Sequence, residues 1–269
     1  MIPYSFTYRR ASSVADAEQQ FASGSDAKFL AGGQTLIPTM KQRLASPAQL
    51  IDISGIEELS FIRADRESLV IGSGAKHATV ASSPEVQRLV PALAELAEMI
   101  GDPAVRHLGT LGGSLANNDP AADYPAAALA LSACIRTTRR TIAADEFFTG
   151  MFSTALEDGE IIIDVTFPVP ELAGYAKFPN PASRYALAGV FVARTKTGVR
   201  LAVTGAGSSV FRLPQMEAAL TRNFQPDALS GIAVPSGDLN SDIHASAEYR
   251  AHLVSVMARR AVIAALGKK

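Results

Sequence analysis

The chain has 269 residues, 48% of them hydrophobic, and a formal net charge of −1, so it is long enough for two or three lobes with cores of their own and carries no basic field for nucleic acid. It contains one cysteine and four histidines, which excludes an internal disulfide and an iron–sulfur cluster held by this chain alone. No apolar run reaches the roughly 18 residues of a membrane helix, and MIPYSFTYRR lacks the charged and then apolar stretch of a secretory leader, so the expectation is a cytoplasmic protein with no transmembrane segment.

In chain order, Ser13 to Phe21 read as a helix, followed by a strand ending in Lys28 to Leu30. AGGQT (Ala31 to Thr35) then breaks the pattern. Gly32 and Gly33 form a turn, and Ile37 to Leu44 a helix with Pro38 in its first turn, where the missing N–H costs nothing. Glycine lets the main chain approach an anion closely, and amides at a helix start are good donors, so Ala31, Gly32, Gly33, Gln34 and Thr35 are candidates to hold a phosphate. Strand Leu50 to Ile53 completes a first part of alternating types that ends near Ser54.

Beyond Gly55 comes the strand SLVIGSGA, then a helix expected to run to Gly101, with Ser83 as N-cap, Pro84 at its first position and Glu85 in its first turn. GSGAKH (Gly72 to His77), like GAGSSV (Gly205 to Val210), opens as a dinucleotide fingerprint does. His77 and Val210 stand where the third glycine belongs, however, and both segments read as strand-to-turn glycines.

The second glycine-rich segment, GTLGGS, presents Thr110, Leu111, Gly112, Gly113 and Ser114, followed by Asn117, Asn118 and Asp119 and by Asp123 at the entrance to an alanine-rich helix. That order suits a ligand with a phosphate chain and sugar hydroxyls, amides taking the first and a carboxylate accepting from the second. Asp123 also reads as an acid placed at a helix start for its dipole alone. The strand ACIRTT, with Cys134 expected to be buried, and the apolar run IIIDVTFP follow, and Pro168, Pro170 and Gly174 punctuate the exit.

The last part alternates strands (Gly189 to Arg194, Val199 to Thr204) with helices (Pro214 to Arg222, Ala245 to Leu266). The final helix carries Glu248 near its start and Arg259, Arg260, Lys268 and Lys269 toward its end, which suits the macrodipole. His77, His107, His244 and His252 do not pair at ligand spacing, and no G-x-S-x-G, H-E-x-x-H or Walker pattern occurs, so neither a metal centre nor a nucleophile is expected.

AGGQTLIPTMKQRLASPAQLIDIS and IGDPAVRHLGTLGGSLANNDPAADYPAAALAL resemble the two FAD-binding signatures of the medium subunit of molybdenum hydroxylases, the family of xanthine dehydrogenase and carbon monoxide dehydrogenase. The opening MIPYSFTYRRASSVADA, YAKFPNPASRYALAGVFVA and the closing SDIHASAEYRAHLVSVMARRAV extend the resemblance over nearly the whole chain. It implies an α+β fold: a two-lobed FAD-binding domain of the vanillyl-alcohol-oxidase (PCMH-like) type over 1–54 and 55–172, then a smaller α/β C-terminal domain like that of the carbon monoxide dehydrogenase flavoprotein over 173–269.

It also implies FAD on this chain, clamped by the first two lobes and covered by the third. Molybdopterin and 2Fe-2S clusters are then expected on a large and a small partner subunit, assembled as a dimer of heterotrimers, with this chain passing electrons to a terminal acceptor. Residue by residue, Ala31, Gly32, Gly33, Gln34 and Thr35 match the first pyrophosphate loop, and Thr110, Leu111, Gly112, Gly113 and Ser114 the second. Asp123 matches a carboxylate that bonds the cofactor, Ile162 a main-chain contact to the flavin edge, Lys177 a lysine near the ring and Tyr185 an aromatic beside it.

The pattern departs at Asp102 and Asn117, where histidine is common, and at Arg184, where a small residue is. Two alternatives remain: a self-contained FAD-dependent oxidoreductase of the same superfamily, which lacks support in any covalent-flavin histidine context or substrate domain, and a non-catalytic nucleotide-binding module, which two phosphate loops and a ring-shielding lobe exceed.

Overall fold

In the computed structural model, which describes residues 2–267, the chain opens with β1 (Thr7–Arg10), α1 (Val14–Ser23), β2 (Ala27–Leu30), α2 (Leu36–Lys41) and β3 (Gln49–Asp52). β3 lies between β1 and β2 and runs parallel to both, because the two helices return the chain to the same edge before each new strand. Ser13 caps α1 by accepting from the Asp16 amide at 3.1 Å. β3 is buried throughout, and Ile51 packs with Ala17, Ile56 and Leu59 in a small core.

The second sheet is antiparallel, in the order β4-β5-β10-β6-β7. Between β4 (Ile62–Ala64), β5 (Ser68–Gly72) and the rest of that sheet come short helices: α3 (His77–Ser82), α4 (Pro84–Leu89), α5 (Pro91–Glu98), α6 (Pro103–Arg106), α7 (Leu111–Asn117) and α8 (Tyr124–Ala130). β6 (Cys134–Thr137), β7 (Thr141–Ala143), α9 (Ala144–Phe147), the hairpin β8 (Phe148–Gly150) and β9 (Ser153–Thr154), and β10 (Ile162–Pro168) follow.

The structure departs from the sequence expectation at one helix and at the cysteine. The single helix from Ser83 to Gly101 is split, with Val90 at φ −140° between α4 and α5, because Pro91 drives the preceding residue out of the helical region. Cys134 is exposed, since burial alternates along β6 and Ile135 takes the inward position.

The last sheet is an antiparallel meander of β11 (Leu172–Pro179), β12 (Ala186–Thr195), β13 (Gly198–Thr204) and β14 (Phe211–Arg212), followed by α10 (Pro214–Arg222) and α11 (Ala247–Ala265). The first eight residues of β12 are all buried, because α11 lies on one face of the strand and α8 on the other. α8 fits there because four of its seven residues are alanine, and every one of its residues is buried. Gly174 lets α11 close on β11, since a Cβ at that position would lie 2.1 Å from the Ala261 carbonyl oxygen. Lys268 and Lys269 lie outside the described residues, among which no helix is long and apolar enough to cross a membrane.

Main-chain carbonyls between α7 and α8, and one within α8, hold this sheet against the rest of the molecule. The Gly205 amide donates to Pro120 O at 2.8 Å, Thr204 Oγ1 to Ala122 O at 2.6 Å, and Arg200 Nε to Leu129 O at 2.9 Å. The segment that leads into Asp123 is therefore tied to the final sheet.

Candidate cofactor site

A cleft of about 660 Å³ runs between the parallel lobe and the antiparallel lobe and reaches the final sheet at Ser183, Arg184 and Tyr185. The two glycine segments cross on its floor. A Cβ on Gly32 would lie 2.2 Å from Leu108 O and 2.7 Å from the Gly109 Cα, so bare glycine is what lets the lobes touch there. Gly33 takes φ +70°, a left-handed turn that starts α2.

The glycines of the second segment do different work. They sit in the first turn of α7 rather than in a loop, with Thr110 Oγ1 accepting from Gly113 N at 3.1 Å as N-cap. Gly112 packs on β5, and a Cβ there would meet Ser73 Cβ at 2.4 Å. Gly113 faces the cleft, its nearest neighbours being Thr110 Oγ1 at 2.9 Å and Ala31 Cβ at 3.9 Å from the Cβ position.

Donor supply is unequal. Among the described residues the amides of Gly32, Gly33, Gln34 and Thr35 have no protein acceptor, while Gly33 O and Thr35 O already accept from Ile37 and Thr39. In the second segment four amides are engaged, Leu111 N with Ala75 O, Gly112 N with Ser73 O, Gly113 N with Thr110 Oγ1 and Ser114 N with Thr110 O, and among the described residues only that of Thr110 has no acceptor. The first segment therefore offers free donors to an anion, and the second brings closeness and the hydroxyls of Thr110 and Ser114. The Leu111 side chain points into the core, fully buried, and does not line the cleft.

The polar run after α7 is largely structural. Asn118, at φ +42°, ends the helix, and its Nδ2 donates to Gly150 O at 2.8 Å and Ser153 O at 2.7 Å, which fixes the β8–β9 hairpin. Asp119 Oδ1 accepts from Ala121 N at 2.9 Å, a local turn. The hairpin carries the exposed Phe152, at φ +51°, to the rim of the cleft.

Asp123 does line the cleft, but it makes no cap bond to α8, so it is not a simple dipole acid. Lys177 Nζ, on β11, donates to its two oxygens at 2.9 and 3.0 Å and to Met99 O at 2.9 Å, and the Tyr175 hydroxyl donates to Oδ1. Both side chains of the ion pair are buried. Burial raises the Asp123 carboxyl above its ordinary value, with Lys177 and Tyr175 pulling the other way. Lys177 does not line the cleft, and acts on it through Asp123.

Ile162 lines the cleft from the start of β10, and Tyr185 stands half-exposed at its rim. Arg184 holds φ +62° and reaches across with Nη1 at 3.5 Å from Gly101 O.

Sequence reasoning missed Ser73 and His77, both cleft-lining and both in the segment GSGAKH. Judging that segment only against a complete dinucleotide fingerprint hid the signal. His77 is 5% exposed, and burial, aided by Arg106, pushes its imidazole down to about 4. The native ring is thus neutral where the unfolded ring, titrating near 6.5, takes up a proton. Stability is complete above that value and falls as pH drops from about 6.5 toward about 4, with about 3 kcal/mol at stake at ~1.36 kcal/mol per pKa unit. Urea unfolding of the wild type and His77→Gln between neutral pH and pH ~4.5 measures it, and equal pH slopes for the two proteins would sink the assignment.

A cleft between two α+β lobes, with glycines at the crossing and free main-chain donors on one side, defines a protein that binds a nucleotide-type cofactor. Residues 4–170 match the FAD binding domain in molybdopterin dehydrogenase, and the chain belongs to that family, as an FAD-binding oxidoreductase subunit of the molybdenum hydroxylases.

It is 36% identical to the nicotine 6-hydroxylase medium subunit of Paenarthrobacter nicotinovorans, over 96% of each chain, and 36% identical to the carbon monoxide dehydrogenase medium chain of Hydrogenophaga pseudoflava, over 98% of each. Its fold superposes on reconstituted CO dehydrogenase from Oligotropha carboxidovorans with a TM-score of 0.90 at 32% identity, over 100% of both chains. The unpaired amides and the cradle that a Cβ would fill suit the diphosphate of FAD.

Proposed function

We propose that this chain carries electrons from 2Fe-2S clusters on a small partner subunit to a terminal acceptor, substrate being oxidised at molybdopterin on a large partner, in a dimer of heterotrimers in the cytoplasm. The observation that carries this reading is the row of unpaired amides from Gly32 to Thr35 beside the glycine crossing, a main-chain site for a diphosphate. The relatives' names support it, since nicotine and carbon monoxide share no chemistry, and a common medium chain then has no part in choosing between them.

FAD when bound supplies the electron chemistry, and this chain supplies position and shielding. In this reading 1–54 and 55–172 hold the cofactor and 173–269 covers it. Ala31 to Thr35 bind the diphosphate, Thr110, Gly112, Gly113 and Ser114 close over it, and Asp123 accepts from a cofactor hydroxyl. Ile162 and Tyr185 border the ring, while Leu111 and Lys177 stand behind the wall and fix it.

Purified chain should be yellow, and acid precipitation should leave intact FAD in the supernatant. Dithionite should reduce it and a dye should reoxidise it, whereas aldehydes, purines and N-heterocycles should leave it oxidised under anaerobic conditions until both partners are added. Direct bleaching by an organic substrate would favour a self-contained oxidoreductase, and a colourless nucleotide in place of FAD a binding module.

A further inference from the structure

The segment Gly72 to His77 forms a wall of the cleft opposite the free amides of the first glycine segment, with Ser73, Gly74 and His77 lining it. The second segment has spent all its amides but that of Thr110 on Ser73 O, Ala75 O and its own Thr110, so further donors on that side come from side chains. Among the described residues, Ser73 and His77 are buried side chains of this wall with no hydrogen bond, and His77 is the one that extends to the glycine crossing. Neither of its ring nitrogens has a hydrogen-bond partner among the described residues, and Nδ1 is fully enclosed, with the ring packed 5.4 Å from that of Tyr124.

The other nitrogen, Nε2, occupies the space where Gly109 has no side chain: a Cβ there would lie 2.6 Å from it. Gly109 is also the residue whose Cα meets Gly32, so His77 Nε2 reaches the crossing of the two glycine segments from below. The His77 amide donates to Gly109 O at 3.0 Å, which fixes the ring at that point. A structural core histidine would have its nitrogens satisfied by protein. An enclosed donor without an acceptor is the costlier arrangement, so the proton sits on Nε2, the only nitrogen that a ligand can reach.

We infer that His77 is a binding residue for the cofactor, its neutral imidazole donating from Nε2 to a diphosphate oxygen at the glycine crossing. This rests on the FAD reading and deepens it, and the test separates the two. Apoprotein of the wild type, His77→Leu and His77→Gln is titrated with FAD and, in competition, with ADP, and the phosphorus NMR spectrum of bound FAD is recorded for each. His77→Leu should weaken FAD and ADP by the same factor, tenfold or more, with displaced phosphorus resonances. His77→Gln, which retains a donor, should recover most of the affinity.

Unchanged affinities in His77→Leu, or a loss for FAD with none for ADP, would overturn the diphosphate contact while leaving the FAD reading intact. A wild-type apoprotein that binds neither ligand overturns both. Should His77→Leu fail to fold, nitrogen NMR of the wild-type imidazole decides: Nε2 must be protonated and must shift when ADP is added, and a ring blind to ADP ends the proposal.

Discussion

Lys177→Met should cost the folded apoprotein about 3–5 kcal/mol, the range for removing one partner of a buried ion pair. Lys177 and Asp123 are only 2% and 4% exposed at their side chains, so the surviving carboxylate would stay in a low-dielectric site with the Tyr175 hydroxyl as its remaining side-chain partner. Asp123→Ala should cost a similar amount, because it strands the ammonium against Met99 O. The double variant Asp123→Leu with Lys177→Met should be far closer to the wild type, since apolar groups of similar volume replace a pair whose desolvation consumed much of its attraction.

Urea unfolding of the four proteins gives these numbers, and single variants within about 1 kcal/mol of the wild type would mean that the pair is hydrated and structurally idle. The expectation differs from those drawn on sequence alone, in which Asp123 is either a carboxylate that bonds the cofactor or an acid placed for the helix dipole. The carboxylate has lone pairs left for a ligand, so a loss of FAD affinity is measured separately, on protein shown to be folded.

Gly113→Val should lower FAD affinity about a hundredfold, about 2.7 kcal/mol, while Gly112→Val should damage the fold first. The reasons lie one residue apart on α7. At Gly113 the new side chain enters the cleft between Thr110 Oγ1 and Ala31, with about 1 kcal/mol of stability lost if the N-cap bond is disturbed. At Gly112 it meets Ser73 Cβ at 2.4 Å and Ser73 O at 2.9 Å, in the contact that seats α7 on β5, where overpacking costs about 1–3 kcal/mol. Thermal melts and equilibrium FAD titrations of both variants test the contrast. A Gly113→Val protein that stays yellow through dialysis would show that the diphosphate does not pass between Gly113 and Ala31.

The sequence by itself determined what depends on neighbours along the chain. Ser13 and Ser83 mark helix starts through their own side chains, and each accepts from an amide three residues on. Both glycine segments stood out because no other residue gives a main chain that closeness, and their family pattern carried the fold and the cofactor with it. Proline punctuation was legible too, except that Pro91 was not allowed to cut the helix that it does cut.

Tertiary structure alone decided what depends on residues far apart in sequence. It made Lys177 the buried counter-ion of Asp123, 54 positions away, because β11 delivers it to the residue that starts α8. It spent all but one of the amides of the second glycine segment on Ser73, Ala75 and Thr110, while those from Gly32 to Thr35 keep no acceptor among the described residues. And it placed His77, in a stretch that reads as an ordinary strand-to-turn passage, with its Nε2 beneath Gly109: burial and the want of a partner are properties of the packed chain, and no local pattern encodes them.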